Sequence, residues 1–422
     1  MDTCSRMGVF EETCLAHIRS AVSVATGCTE PVAIALCAAA AREASTGAPE
    51  EITVRLDMGL YKNALGVVVP GVNKRSVVLC AALGAAAGKT SDGMNIFASM
   101  GPAEWKKAEA LVPITHVTVA AEARSLYAEA TIRTRQSHVR AVIEETHDRI
   151  SKIEAYPFSK DNFQLPAPNA FLRSLTLRHM LAFAQNIPGG RLDFLDETVE
   201  INRSLMKKGL EMRYGKAAAY LEAADSAAAR AQLAVGAASW ARMAGVPLPA
   251  ATATGSGNQG ITLSLTIDAA ALFFNSTKEQ MLRALALGHL VNLLAKSYIG
   301  SLAPVCSSGI ASGAGAAAAV AWLLGGTEAA ILGSIQNMLG GIGGMLCDGA
   351  KEGCAHKAAL AAYAAVTAAY LSIAGCHVAA RDGVCSGDIH GLFENMRRVI
   401  FDGMGSTNET LLSVMTQKQT IL

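Results

Sequence analysis

Aromatic residues and an excess of charge are what this sequence most clearly lacks. Aromatic residues make up 5% of the 422 residues, whereas hydrophobic residues make up 51%, and alanine is prominent among them. Lys and Arg together number 36 and Asp and Glu number 35, so no basic field exists to attract nucleic acid. We therefore set nucleic acid aside. Because alanine is the best helix former and glycine permits close backbone approach, we expect tightly packed, Ala- and Gly-rich helices.

Targeting signals are also missing from the sequence. The stretch MDTCSRMGVFEETCLAHIRS, residues 1–20, holds acidic residues and no uninterrupted apolar core, so it does not fit a secretory signal. Ten cysteines without such a signal indicate a reducing, cytoplasmic location, where cysteines are buried spacers, metal ligands or nucleophiles. Residues 358–380 are long enough to span a bilayer. They lack an aromatic belt and asymmetric Lys/Arg loops, so we favour a buried helix and expect no membrane.

The chain is predicted to begin with two helices, the second of which has clear N-terminal capping signals. Residues 8–24 predict one helix, and residues 29–44 predict a second. The second helix is expected to begin with Thr29 as N-cap, Glu30 near its positive end and Pro31 in its first turn.

Strands and one further helix are predicted in the remainder of the first third. Alternating apolar and polar residues in ITVRLDM (52–58) predict a strand, GVVVPG (66–71) predicts another, and residues 116–134 predict two more. Residues 137–155 predict an amphipathic helix. Its apolar residues recur at helical spacing, at Val139, Val142, Ile143 and Ile150.

The irregular, proline-bearing segment 156–170 is a candidate domain boundary. The chain beyond it appears almost wholly helical, with glycine-rich interruptions at 251–265 and 340–354. We therefore predict an α+β, mainly α-helical fold. Residues 1–160 would form the N-terminal helices and a small mixed α/β domain, and residues 161–422 an all-helical, Ala/Gly-rich domain.

Three cysteines stand out as candidate metal ligands: Cys306, Cys347 and Cys354. Thiolates select zinc, Cu(I) or iron–sulfur clusters, but the C-x₂₋₄-C pairs of zinc sites and the compact ferredoxin run are both absent. Three thiolates from separate segments fit a [4Fe–4S] cluster with one open iron, which would act as a Lewis acid. The alternative is that these cysteines are buried spacers, as free cysteines often are.

Cys28 differs from the other cysteines because it immediately precedes the predicted helix 29–44. The positive end of that helix would lower the pKa of the thiol, although Glu30 works against this. A thiolate here would serve as a general base or a nucleophile. The alternative is a small residue in a tight turn.

Two further segments predict binding of a carboxylate. In GSGNQG, Gly257, Asn258 and Gln259 offer backbone amides and neutral side chains, and in YKNALG, Lys62 and Asn63 follow a predicted strand. A linker and a solvated turn are the respective alternatives. His356 either orients a site or is a core histidine. The sequence contains no GxxxxGK[ST], GxSxG or HExxH motif.

Six segments occur in an order that resembles the L-cysteine desulfidase family, a serine dehydratase alpha-chain-like group that includes uncharacterised members. They are GCTEPVAIAL, YKNALGVVVPG, GSGNQGITLSL, CSSGIASGAGAAAAVAWLLGG, MLCDGAKEGCAHK and GMGSTNETLLSVM. The resemblance runs from about residue 27 to about residue 416.

This resemblance implies a lyase that works without pyridoxal phosphate and carries an oxygen-sensitive [4Fe–4S] cluster. It implies Cys306, Cys347 and Cys354 as cluster ligands and Cys28 as the functional cysteine of the GCTEP motif. The expected reaction is α,β-elimination on a small amino acid, most simply L-cysteine, giving sulfide, pyruvate and ammonia. A serine or threonine dehydratase and a non-catalytic iron–sulfur sensor remain as alternatives. We expect a homodimer only because two-fold dimers are common.

Overall fold

The computed structural model describes residues 3–69, 74–98, 100–123, 125–161, 163, 167–222 and 225–419. It confirms an α+β, mainly helical chain. No helix in these ranges combines the length and the apolar character that crossing a membrane requires.

A five-stranded mixed sheet forms the small α/β unit, and a separate two-stranded pair lies elsewhere. The strands are β1 (Val24–Thr26), β2 (Glu51–Leu56), β3 (Thr115–Val119), β4 (Tyr127–Arg133), β5 (His138–Glu144), β6 (Ile150–Ala155) and β7 (Pro249–Ala251). The sheet order is β3-β2-β4-β5-β6, with β2 and β3 parallel and the other neighbours antiparallel. The pair β1 and β7 is antiparallel, and the two strands lead into Cys28 and into the segment GSGNQG, respectively.

Helices account for most of the described chain. Those before the end of the sheet are α1 (Thr3–Ala21), α2 (Thr29–Glu43), α3 (Met58–Leu65), α4 (Val77–Ala87) and α5 (Pro102–Leu111). Those after it are α6 (Ala170–Ser174), α7 (Leu177–Asn186), α8 (Asp193–Glu211), α9 (Gly215–Glu222), α10 (Ala227–Met243), α11 (Gly257–Phe273), α12 (Lys278–Ile299), α13 (Gly313–Leu323), α14 (Glu328–Ile342), α15 (Cys354–Ile373), α16 (Ile389–Arg398) and α17 (Thr407–Gln419).

The amphipathic helix predicted for residues 137–155 is wrong, because these residues form the hairpin of β5 and β6. β5 pairs along its whole length with β4 and is buried on both faces. Ala141 and Ile143 belong to the core that includes α2, whereas Val142 packs with Tyr127 on the other face. Burial on both faces removes the alternation that marks a half-buried strand.

Three smaller predictions also need correction. The strand predicted at 66–71 is absent from residues 66–69, and Pro70 and Gly71 lie outside the described residues. α2 begins at Thr29, so Cys28 and not Thr29 occupies the N-cap position. Lys62 and Asn63 lie on α3 rather than at the end of a strand, because Asp57 caps a short helix there by accepting from the Gly59 and Leu60 amides.

Two apolar cores hold the chain together, and each takes in one end of the sequence. The sheet core packs α2 and α4 against the strands and also contacts Leu412 and Met415 of α17. The helical core includes Cys14 and Ile18 of α1. The predicted domain boundary at residue 160 therefore stays a proposal. The N-terminal helix α1 packs in the helical core, and the C-terminal helix α17 packs against the sheet core.

Candidate active site

One cavity brings together almost all the residues that the sequence singled out. The predicted site residues that line it are Cys28, Asn63, Asn258, Gln259, Cys306, Cys347 and Cys354. Lys62 and Gly257 are not among its lining residues. Residues from both the small α/β unit and the helical core therefore contribute to one site.

Backbone pairing places Cys306 beside Cys347. Val305 and Leu346 form an isolated antiparallel bridge. The Cys306 amide donates to the Met345 carbonyl at 2.8 Å, and the Cys347 amide donates to the Pro304 carbonyl at 2.8 Å. Cysteines far apart in sequence are thus fixed on adjacent extended segments. A turn of π-helix, Ser308–Ser312, follows Cys306 directly.

Cys354 reaches the same cavity from the first residue of α15. The loop that leads to it passes through Gly349, whose φ of +87° favours glycine. The Cys354 amide donates to the Lys351 carbonyl at 2.8 Å, and the Cys354 Sγ lies 3.6 Å from the Gly349 carbonyl oxygen. The short loop therefore returns the third thiol to the cavity that Cys347 lines.

Positive charge surrounds this trio of cysteines. Lys62 is 1% exposed, and its Nζ donates to the Cys347 carbonyl at 2.6 Å and to Asn408 Oδ1 at 2.7 Å. Lys296 Nζ lies 3.3 Å from Ser307 Oγ, and burial lowers the pKa of Lys296 to about 8. In the described part of the chain, neither lysine has a carboxylate within 4.0 Å. Partly buried cations without counterions favour an anionic occupant.

The predicted role of Lys62 changes with this geometry. Lys62 does not line the cavity, and its ammonium group is committed to two neutral acceptors. One of them is the carbonyl of a candidate cluster ligand, and the other lies at the start of α17. Lys62 therefore holds the Cys347 segment and α17 against α3.

The chemistry of the donors fits an iron–sulfur cluster better than a single ion. Within the described residues, no three His, Cys, Asp or Glu side chains lie close enough together to hold one metal ion. A cluster is larger than an ion and its thiolates bind different irons, so its ligands need not converge on a point. Three thiols on one cavity, with lysines around them, suit a bulky anionic group.

Cys28 forms a hydrogen-bonded unit with Glu30 and Asn63. The Cys28 thiol donates to Glu30 Oε2 at 3.0 Å, and Asn63 Nδ2 donates to Glu30 Oε1 at 3.1 Å. Burial, followed by the charge of Glu30, raises the pKa of Cys28 well above its ordinary value. The expectation that the helix end lowers this pKa is therefore wrong, because burial and the nearby carboxylate dominate.

Glu30 is the charged member of this unit. Burial by itself raises the pKa of Glu30, but His147 and the hydrogen bond from Cys28 outweigh it and the pKa falls below its usual value. Glu30 is therefore a buried carboxylate that accepts the hydrogen bond of the Cys28 thiol.

The glycine-rich segment GSGNQG forms the start of α11 and its preceding turn. Asn258 Oδ1 accepts from Arg242 Nη1 at 3.0 Å, and Gln259 Oε1 accepts from Thr254 Oγ1 at 3.0 Å. Gly260 is pressed against β7, where an added Cβ would meet the Ala251 carbonyl oxygen and lie 2.7 Å from the Thr252 carbonyl carbon. The glycines thus allow a close approach between α11 and the backbone beside the cavity.

Two cavity residues, His147 and Arg242, are missed by the sequence analysis. His147 lies in the turn between β5 and β6, is 7% exposed, and its Nε2 has no hydrogen-bond partner. Arg242 is 4% exposed on the Ala-rich α10, and its Nε is also without a partner. An arginine within an alanine-rich helix is the signal that was available for Arg242. His147 is missed because the predicted helix 137–155 places it within a helix rather than in the turn between β5 and β6.

His356 and three other cysteines do not line the cavity. Cys37 is fully buried in α2, where its thiol donates to the Ala128 and Ala141 carbonyls at 3.3 Å. Cys376 is exposed and Cys385 is buried, and neither lines the cavity. His356 is exposed, and its ring centroid lies 6.0 Å from that of Trp240.

The class of protein that these features define is a mainly helical α+β chain with a cysteine-bearing polar cavity between a small sheet and a helical core. A family model described as serine dehydratase alpha chain matches residues 91–413. The chain belongs to the serine dehydratase alpha chain family.

Relatives match the chain over nearly its whole length. A UPF0597 protein of Desulfatibacillum aliphaticivorans is 33% identical over 423 residues, covering 94% of this chain and 96% of that protein. A UPF0597 protein of Desulforapulum autotrophicum is 36% identical over 422 residues, with the same coverage of each chain. One from Aeromonas hydrophila is 34% identical, with 95% of each chain covered. Membership of this family suggests a lyase of the hydro-lyase kind.

Proposed function

We propose that this protein is a lyase that carries out α,β-elimination on a small amino acid without pyridoxal phosphate, and that its substrate is L-cysteine. The observation that carries the proposal is the convergence of four cysteines from three regions of the chain on one cavity: Cys28, Cys306, Cys347 and Cys354. Lys62 and Lys296 contact residues that line this cavity or neighbour them and have no carboxylate within 4.0 Å among the described residues, and this adds support because such cations favour an anionic group.

Cys306, Cys347 and Cys354 would hold a [4Fe–4S] cluster. When bound, the cluster supplies a Lewis acid at its open iron, which weakens the bond to the leaving sulfur or oxygen. Lys62 fixes the Cys347 segment through the Cys347 carbonyl. Lys62 would thus hold in place the loop segment that carries the cluster ligand Cys347.

Cys28 and Glu30 are the groups that we assign to proton transfer. Cys28 donates to Glu30 Oε2 at 3.0 Å, and because burial raises the pKa of this thiol, it takes the Cα proton of the substrate only after its own proton has passed to Glu30. The Cα–H and Cβ–S bonds break, sulfide leaves, and the aminoacrylate product reacts with water to give pyruvate and ammonia. Asn63, Asn258 and Gln259 line the same cavity and would bind the polar groups of the amino acid.

L-Serine is the second candidate substrate, and the family name favours it. The two substrates differ only in the leaving atom, so the rates of their turnover distinguish the two functions.

A substrate panel under anaerobic conditions tests the proposal. We expect sulfide and pyruvate in equal amounts from L-cysteine, and slower or no pyruvate from L-serine. Faster turnover of L-serine than of L-cysteine would identify the protein as a dehydratase rather than a desulfidase. Absence of pyruvate from both substrates, with protein that contains iron and sulfide, would contradict a lyase function and favour a sensor.

A further inference from the structure

We propose that Arg242 is the residue that binds the α-carboxylate of the substrate and so restricts the site to carboxylic amino acids. This inference rests on the proposed function, because it names the anchoring residue of the same cavity. The sequence analysis placed carboxylate binding on Lys62 and on neutral groups. The structure points instead to a buried guanidinium.

Arg242 is a buried cation without a counterion. It is 4% exposed and lines the cavity, and among the described residues it forms no ion pair within 4.0 Å. A buried charge is stable only when it is paired and hydrogen-bonded. Glu30, a carboxylate on the same cavity, is already engaged by Cys28 and Asn63. The charge of Arg242 helps to lower the pKa of Glu30, but Glu30 forms no hydrogen bond or ion pair with the guanidinium among the described residues. The guanidinium can therefore bind an anion that enters the cavity.

Two hydrogen bonds fix the orientation of the guanidinium. Nη1 donates to Asn258 Oδ1 at 3.0 Å, and Nη2 donates to the Gly27 carbonyl at 3.0 Å. These contacts join α10 to the start of α11 and to the turn that carries Cys28. Nε has no acceptor. Arg242 lines the cavity, and a guanidinium that is held in one orientation is suited to recognise a carboxylate, which binds guanidinium groups in a fixed geometry.

Gly257 allows the guanidinium of Arg242 to pack against the start of α11. A Cβ at position 257 would overlap Nε and lie 2.6 Å from Cζ of Arg242. Any larger residue would therefore displace the guanidinium. This gives Gly257, which does not itself line the cavity, a supporting role in the same binding function.

Two thiol compounds separate carboxylate recognition from other effects. β-Mercaptopropionate keeps the thiol and carboxylate of cysteine, and cysteamine keeps the thiol and the amine. We expect Arg242→Gln to weaken β-mercaptopropionate about ten- to hundredfold as an inhibitor, in the range of one charge-assisted hydrogen bond. Cysteamine inhibition should change less than about twofold. KM for L-cysteine should rise in parallel.

Three further variants guard against a trivial loss of folding. Arg242→Lys keeps the charge and should recover part of the carboxylate preference, since an ammonium binds as a point charge. Gly257→Ala should weaken β-mercaptopropionate in the same direction as Arg242→Gln. Arg203→Gln is the matched control, because Arg203 pairs with Asp268 at 2.7 Å away from the cavity and should leave both inhibitors unchanged.

The outcomes distinguish this inference from the proposed function. If wild-type protein prefers the carboxylate probe by thermal shift but turns over no amino acid, Arg242 keeps its role and the lyase proposal fails. If L-cysteine is turned over and Arg242→Gln binds both probes like wild type, the lyase stands and the role of Arg242 is overturned. Equal binding of both probes by wild-type protein would also overturn it.

Discussion

Replacing Gly260 with alanine tests whether α11 approaches β7 as closely as the structure has it. The added Cβ would meet the Ala251 carbonyl oxygen and would lie 2.7 Å from the carbonyl carbon of Thr252. Both neighbours are backbone atoms, so neither can move aside as a flexible side chain would. Relief requires α11 to shift away from the strand that pairs with β1 beside Cys28.

The expected cost follows from two opposing effects. Overpacking of a tight contact costs about 1–3 kcal/mol, and a backbone clash places this case near the upper limit. Replacing glycine by alanine inside a helix returns about 0.5–1 kcal/mol. The net loss in the free energy of unfolding should therefore be about 2 kcal/mol.

Gly8→Ala in α1 is the matched control, because no atom lies within 4 Å of the Cβ that it adds. This control should be stabilised by about 0.5–1 kcal/mol. Urea unfolding of both variants and of wild-type protein should place the midpoint of Gly260→Ala below wild type and that of Gly8→Ala at or above it. Equal midpoints for the two variants would refute the packing of α11 against β7.

Two further predictions concern buried ionisable groups. Cys28→Ser keeps a donor to Glu30 but no thiolate, so kcat should fall at least about a hundredfold with the iron content unchanged; a loss below about threefold would remove Cys28 from proton transfer. Burial raises the pKa of Asp57 to about 6 from 3.8. The folded state therefore holds this proton more tightly than the unfolded state, and the resulting contribution to stability is complete below pH 3.8 and is lost as the pH rises to about 6. The advantage of wild type over Asp57→Asn should thus shrink by up to about 3 kcal/mol across this range in urea titrations, and a constant or growing difference would contradict the assignment.

Local sequence patterns predict most helices but do not decide the hairpin of β5 and β6. Val139, Val142 and Ile143 satisfy helical spacing, yet they also suit a strand buried on both faces. What decides between them is pairing with β4, a contact that a window of sequence does not contain. Similarly, Asn63 reaches the cavity from a short helix because of its cap at Asp57.

The candidate site is predictable only where residue type and motif coincide. Cys306, Cys347 and Cys354 can be picked out from their residue type, and the order of the motifs supports them. Arg242 could not be placed in this way, because its orientation at the cavity depends on the Gly27 carbonyl, 215 positions away in sequence. The sequence predicts that Lys62 binds the substrate carboxylate, whereas in the structure its ammonium group donates to the Cys347 carbonyl and to Asn408.

The central claim is that Cys306, Cys347 and Cys354 hold one cluster. It is tested most directly by measuring iron and acid-labile sulfide in protein purified without oxygen. We predict about four of each per chain in wild-type protein and in Cys376→Ser, whose thiol is exposed and away from the cavity. Each of Cys306→Ser, Cys347→Ser and Cys354→Ser should lose most of both. Wild-type protein without iron, or the same iron content in all these variants, would contradict the account.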